Sequence, residues 1–208
     1  MKNHPFLKAL WGAVLAGMAI ALGGAVFLSV DNKVTGALLF TVGLFAVCVF
    51  GFNLFTGKMC YCLEGDRSYR MQLPVIWLGN LAGAVLVALL LSLTRSGQAL
   101  YERAQGLIAA KLSDGLWSLF ILGIFCNILI YLAVEGFKNA KHDLARYLAL
   151  FFGVAVFILS GFEHCVADMF YFAMARSWTL DTLLRLIVIT AGNMVGALIW
   201  PLLRRAAR

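Results

Sequence analysis

Charge is scarce in this chain. Asp, Glu, Lys and Arg make up only 13% of its 208 residues, while 62% are apolar; an average soluble domain carries about a quarter charged residues. That shortage excludes an ordinary water-soluble globular domain. Histidine is limited to His4, His142 and His164. The first two lie toward the charged, cytoplasmic flanks, so no metal-ligand set is expected. The cysteines (Cys48, Cys60, Cys62, Cys126 and Cys165) are odd in number and contain no CxxC pair. They are read as small membrane-buried side chains rather than as disulfide or metal groups.

Long charge-free runs are what the chain does have: 9–30, 34–57, 71–94, 115–134, 147–162 and 186–203. A helix crossing the hydrocarbon core needs roughly 17–25 apolar residues. The run at 147–162 falls slightly short and resumes at 169–175. Six crossings follow, with the fifth interrupted, in a chain whose surroundings are the lipid bilayer. Six crossings put both termini on one face. The Lys and Arg residues of that face are Lys2, Lys8, Lys58, Arg67, Arg70, Lys138, Lys141, Arg146, Arg204, Arg205 and Arg208; the other face has Lys33, Arg95, Arg103, Lys111, Arg176 and Arg185. The richer face is cytoplasmic by the positive-inside rule, so both termini are expected there. This bias accounts for the formal charge of +7 without a nucleic-acid partner. The first run is too long for a usual signal peptide and no cleavage site follows it.

The two halves repeat each other. GFNLFT at 51–56 matches GFEHCV at 161–166, and GNLAGA at 79–84 matches GNMVGA at 192–197. Each half therefore runs plain span, span with a break, span with G-N-x-x-G-A. An odd number of crossings per half makes the second copy inverted, with a site expected near the midplane where the two broken helices meet. The expected organisation is one transmembrane domain over 1–208, with repeat 1 about 7–95 and repeat 2 about 111–204. Gly79 and Gly83, like Gly192 and Gly196, fall at i and i+4 and make small faces for close helix packing.

Ionisable groups at membrane depth are functional candidates. Glu163, His164 and Asp168 belong to the second break. His164 can donate or accept a proton near neutral pH and can hydrogen-bond a small anion. Glu163 would repel an anion, so it is expected to accept backbone amides freed by the break or to balance Lys111. Asp168 is expected to cap a half-helix beginning at Met169. Lys111 precedes the fourth span and Asn127 lies sixteen residues on, a rise of about 24 Å if one helix holds both. Thr56 offers a hydroxyl from the first break. Phe40, Leu44, Phe55 and Phe157 are candidates to narrow a path on either side of His164.

Four segments closely resemble signatures of the formate/nitrite transporter family, in order along the chain: GFNLFTG (51–57), GIFCNILIYLAV (123–134), SGFEHCVADMF (160–170) and AGNMVGA (191–197). The resemblance implies an all-α, aquaporin-like protomer of six helices, assembled as a homo-pentamer with one pore per protomer in the inner (plasma) membrane. It implies passage of small monovalent weak-acid anions such as formate, nitrite or hydrosulfide, and no cofactor. By position, the family's pore histidine is His164, its first-break threonine Thr56, its vestibule lysine Lys111 and its associated asparagine Asn127. The preceding glutamate is Glu163, and the constrictions are Phe40, Leu44, Phe55 and Phe157. The chain departs from the family at Asn53, usually acidic, at Asp168, usually asparagine, and at Glu135, near which the family has an aromatic residue. The first span begins almost at once, so gating by an additional N-terminal helix is not expected.

The expected mechanism is proton-coupled, bidirectional permeation, with Lys111 attracting the anion and His164 donating a hydrogen bond or relaying a proton. Two other readings of the same residues stand beside it. A neutral-solute channel of aquaporin type shares the half-helix logic but normally shows Asn-Pro-Ala at both breaks, whereas Pro5, Pro74 and Pro201 all lie elsewhere. An intramembrane enzyme using Glu163 and His164 as acid and base would need further ligands or a partner for Cys165.

Overall fold

The computed structural model describes residues 5–207. Lys2, His4 and Arg208, assigned above to the cytoplasmic face, lie outside them. The described residues form helices and no strand: α1 (Pro5–Ser29), α2 (Lys33–Phe50), α3 (Phe55–Met59), α4 (Arg67–Ser92), α5 (Gly97–Ser113), α6 (Leu116–Asn139), α7 (Asp143–Leu159), α8 (Cys165–Met174) and α9 (Leu180–Ala206). Five of them, α1, α2, α4, α6 and α9, are long and apolar enough to cross a membrane. The remaining crossing, fifth in chain order, is made in two pieces, α7 and α8, and the second crossing is continued by the short α3.

The halves pack alike. In the first, α1 lies against α4 and α2; in the second, α6 lies against α9 and α7. Contacts of α2 with α7, of α8 with α4 and α1, and of α3 with α9 and α6 then join them. This is the inverted 3+3 arrangement with broken second and fifth helices that the motif order implied.

Each break starts the same way. Gly51 and Gly161 both take φ of +70°, a left-handed conformation that costs glycine little and other residues more. The turn lets the Phe52 amide reach the Val47 carbonyl and the Phe162 amide reach that of Phe157, both at 2.9 Å, closing the ends of α2 and α7.

The small faces work as the sequence implied. A β-carbon built on Gly83 would lie 2.1 Å from the Val14 carbonyl oxygen, and one on Gly196 would lie 2.1 Å from that of Ile124. The α1–α4 and α6–α9 pairs therefore meet backbone to backbone. Gly196→Ala is expected to force α9 off α6 at a cost of roughly 1–3 kcal/mol. The check is the midpoint of thermal unfolding in detergent, which should fall below that of Gly106→Ala, where the added carbon meets nothing within 4 Å.

One element was not expected. Residues 97–113 form α5, which lies on the face opposite the termini and does not join the fourth span. Arg103 fixes its middle through the Leu28 carbonyl at 2.8 Å and Asp31 at 2.5 Å. Its end is held where Arg185 of α9 donates to the carbonyls of Lys111 at 2.8 Å and Asp114 at 2.7 Å. Lys111 and Asn127 therefore sit on different helices, and the 24 Å rise does not apply between them.

Candidate functional site

Two asparagines build the break region. Asn80 on α4 accepts the Phe55 amide at 2.8 Å and donates to the carbonyls of Ala13 at 2.8 Å and Asn53 at 2.9 Å. Asn193 on α9 accepts the Cys165 amide at 2.9 Å and donates to the carbonyls of Gly123 and Glu163, both at 2.8 Å. Each thus supplies a partner for the first amide of a half-helix and for the carbonyl two residues before it, groups that hydrocarbon cannot satisfy. The sequence reading assigned the G-N-x-x-G-A segments to packing alone and missed this. The repeated asparagine, fully buried in both copies, was the available signal.

His164 follows the second break and is the N-cap of α8. Its Nδ1 accepts the Ala167 amide at 3.2 Å. A nitrogen that accepts carries no hydrogen, so the ring is neutral with its proton on Nε2. Nε2 lies 2.9 Å from Thr56 Oγ1, so the ring donates to the hydroxyl and leaves the Thr56 hydrogen free to point elsewhere. Phe157 stacks on the imidazole with centroids 5.6 Å apart, and Phe40 meets Phe157 edge-on at 6.1 Å. The expected cap by Asp168 is therefore corrected: α8 begins at Cys165, and Asp168 lies inside its first turn.

Asp168 turns instead to Lys111. Lys111 Nζ lies 2.9 Å from Asp168 Oδ1 and also contacts Glu163 Oε2, with the three side chains 12%, 2% and 8% exposed. Burial opposes the charge on Lys111, but Asp168 and then Glu163 outweigh it and hold the ammonium above the usual lysine range. Asp168 Oδ2 is buried without a partner. Asn127 donates to the Thr56 carbonyl at 3.2 Å, tying α6 to α3, and its Oδ1 is likewise buried without a partner.

Two cavities approach this centre. One of about 300 Å³ opens opposite the termini, lined by Phe40, Phe157, His164, Lys111, Glu163 and Asp168. The other, of about 290 Å³, opens on the termini face and is lined by Val47, Leu54, Gly57, Lys58 and Lys138 among others. Leu44 lies one helical turn from Phe40 and nearly one from Val47, and Thr56 lies between Leu54 and Gly57 while touching His164. Leu44 and the Thr56–His164 pair thus separate the cavities. Phe55 is not brought to either; it lines a third, apolar cavity with Met59, Trp77 and Met194, and Leu54 takes the inner position.

A family model described as "Formate/nitrite transporter" matches residues 1–204. The formate channel FocA of Haemophilus influenzae is 29% identical over 194 residues, covering 83% of this chain and 67% of that protein. The nitrite transporter NirC of Salmonella typhimurium is 32% identical over 196 residues, covering 85% and 70%. Among solved structures, a pentameric formate channel with formate bound superposes with a TM-score of 0.87 at 25% identity, covering 100% of this chain and 98% of that one. An ion channel described as of the FNT family gives 0.85 at 28%, covering 99% and 92%. The likeness extends over both repeats and both breaks, so the fold is the aquaporin-like one that the family resemblance implied.

Proposed function

The chain belongs to the formate/nitrite transporter family, and from that premise we propose that it passes formate, nitrite or hydrosulfide together with a proton, in either direction. It is a multi-pass membrane protein, a channel or transporter for small anions and not an enzyme. The excess of Lys and Arg on the termini face supports an inner-membrane location with both termini cytoplasmic. The likeness to a pentameric channel supports a pentamer with a pore in each protomer. The repeated packing supports one transmembrane domain over 1–208 made of repeats at about 7–95 and 111–204, with most of α5 as the link between them.

The observation that carries the reading is the His164–Thr56 pair at the wall between two cavities. An anion entering an apolar constriction loses its hydration, and the less polar surroundings raise the pKa of its conjugate acid. It takes a proton there and crosses Leu44 and Phe40 as the neutral acid. His164 adds no fixed charge that would trap the anion. Through Nε2 and the Thr56 hydroxyl it offers hydrogen bonds in place of water. Its capping bond supports the donor role over the relay role, because a proton on Nδ1 would face the Ala167 amide, donor against donor. Lys111 keeps Glu163 and Asp168 from standing as bare negative charges beside the entry.

Stopped-flow swelling of proteoliposomes in formate, nitrite and glycerol tests the substrate class: swelling is expected with the two anions and not with glycerol. Glycerol entry at the same rate would point to the neutral-solute reading. Uptake of labelled formate should rise several-fold when the outer solution is made more acidic than the lumen. A rate that ignores the pH gradient would remove the proton from the mechanism.

A further inference from the structure

We propose that the cavity on the termini face is an anion-binding site in its own right, where Lys58 and Lys138 hold a small carboxylate or oxyanion before it reaches the constriction. This rests on the anion-transport reading above and adds the location and chemistry of the loading step.

The two cavities differ in charge. The cavity opposite the termini is lined by two lysines, Lys33 and Lys111, against three carboxylates, Asp114, Glu163 and Asp168, and Lys111 already contacts two of these. That side carries no surplus of positive charge. The cavity on the termini face is lined by Lys58 and Lys138 and by no carboxylate. Among the described residues neither lysine forms an ion pair. Lys138 Nζ lies 3.7 Å from the centre of the Tyr61 ring, and Lys58 is half-buried.

The nearby carboxylates are already committed. Glu135 binds Arg204 at 2.6 Å and accepts the Tyr61 hydroxyl at 3.0 Å, and Glu64 lies 3.8 Å from Arg205. Those pairs neutralise themselves at the mouth and leave both lysines unbalanced within it. Two like charges facing one partly apolar cavity repel, and an anion between them removes the repulsion.

The repeat makes the difference systematic. Lys58 stands seven residues after Gly51, and Asp168 stands seven after Gly161. Equivalent positions of the two half-helices thus carry opposite charges, positive toward the termini face and negative toward the other. A lysine is a point charge with rotatable donors and does not select among oxyanions by shape. The site therefore concentrates monovalent anions without discriminating between them, and selection falls to His164 and Thr56. A cleft lined by one sign of charge raises the local counter-ion concentration by roughly tenfold or more.

The test uses the full chain in right-side-out and inside-out membrane vesicles, with formate and nitrite varied on one side at a time. In Lys58→Gln/Lys138→Gln the half-saturating concentration should rise roughly tenfold from the termini face and much less from the other face. Lys58→Arg/Lys138→Arg should restore it, and added salt should erase most of the difference. Saturation-transfer NMR of formate on the detergent-solubilised protein reads occupancy without transport, and the glutamine pair should lose most of the signal. Equal shifts from both faces, or wild-type half-saturation and NMR signal in the glutamine pair, would overturn the site. Wild-type vesicles that carry neither anion would count against the transport reading itself. If the wild-type NMR signal also proved insensitive to the two lysines, the site would fall with it.

Discussion

Replacing Asn193 with leucine is expected to lower stability by about 2–6 kcal/mol, a large part of the roughly 5–15 kcal/mol that holds a typical fold. Leucine nearly conserves the volume, so the loss is one of hydrogen bonds. The Cys165 amide is the first of α8 and has no partner in its own helix, and the Glu163 carbonyl lies just before the His164 cap. Both depend on the Asn193 side chain. Left unpaired away from water, each costs about 1–3 kcal/mol. The half-helix that carries His164 would then unwind or move, so transport should disappear together with the folded peak in size-exclusion chromatography. The same holds for Asn80→Leu, because that side chain makes the matching set of bonds to Phe55, Ala13 and Asn53.

A control sits in the first break. The Asn53 side chain makes one bond, to the Ala9 carbonyl at 3.2 Å, and is only part-buried. Asn53→Leu should cost far less than either clamp substitution. If Asn193→Leu and Asn53→Leu unfold at the same temperature in detergent, the clamps contribute little and the breaks are held by packing alone.

These clamps also mark what the sequence could reveal. Charge-free runs, the GF breaks and the doubled motifs were enough to derive six crossings and their inversion, because hydrocarbon punishes charge and unpaired backbone wherever they fall. Gly51 and Gly161 were legible for the same reason: only a left-handed residue ends a helix that way. The meeting of Thr56 and His164 follows once the halves are inverted. The clamping role of Asn80 and Asn193 was not legible, since a letter in a motif does not state how many partners its amide finds. Nor was α5, whose Glu102, Arg103 and Lys111 interrupt any long apolar run and so gave no sign of a helix between the repeats. The start of α8 was misjudged because His164 and Asp168 are both able to cap, and only the position of the Ala167 amide decides between them.

His164 does two things with two nitrogens, and substitutions can separate them. In His164→Asn the side chain reaches as far as the Nδ1 position, so it still caps α8, but it cannot reach Thr56. The protein should fold normally and transport poorly, by roughly ten- to a hundredfold, since a hydrogen bond to a charged group is worth about 1.5–3 kcal/mol. In His164→Gln the amide nitrogen reaches the Nε2 position and can donate to Thr56 Oγ1, while the cap is lost at a cost of about 0.5–2 kcal/mol. This variant should unfold earlier yet carry more formate than the asparagine variant. Thr56→Val, which keeps the cap and removes the hydroxyl, should behave like His164→Asn. Each is measured by proteoliposome uptake beside the unfolding midpoint. Neither amide can relay a proton through a ring, so if both lose transport equally while one keeps its donor, the histidine works by carrying protons. If the glutamine variant retains flux and the asparagine variant does not, it works by donating a hydrogen bond where water is absent.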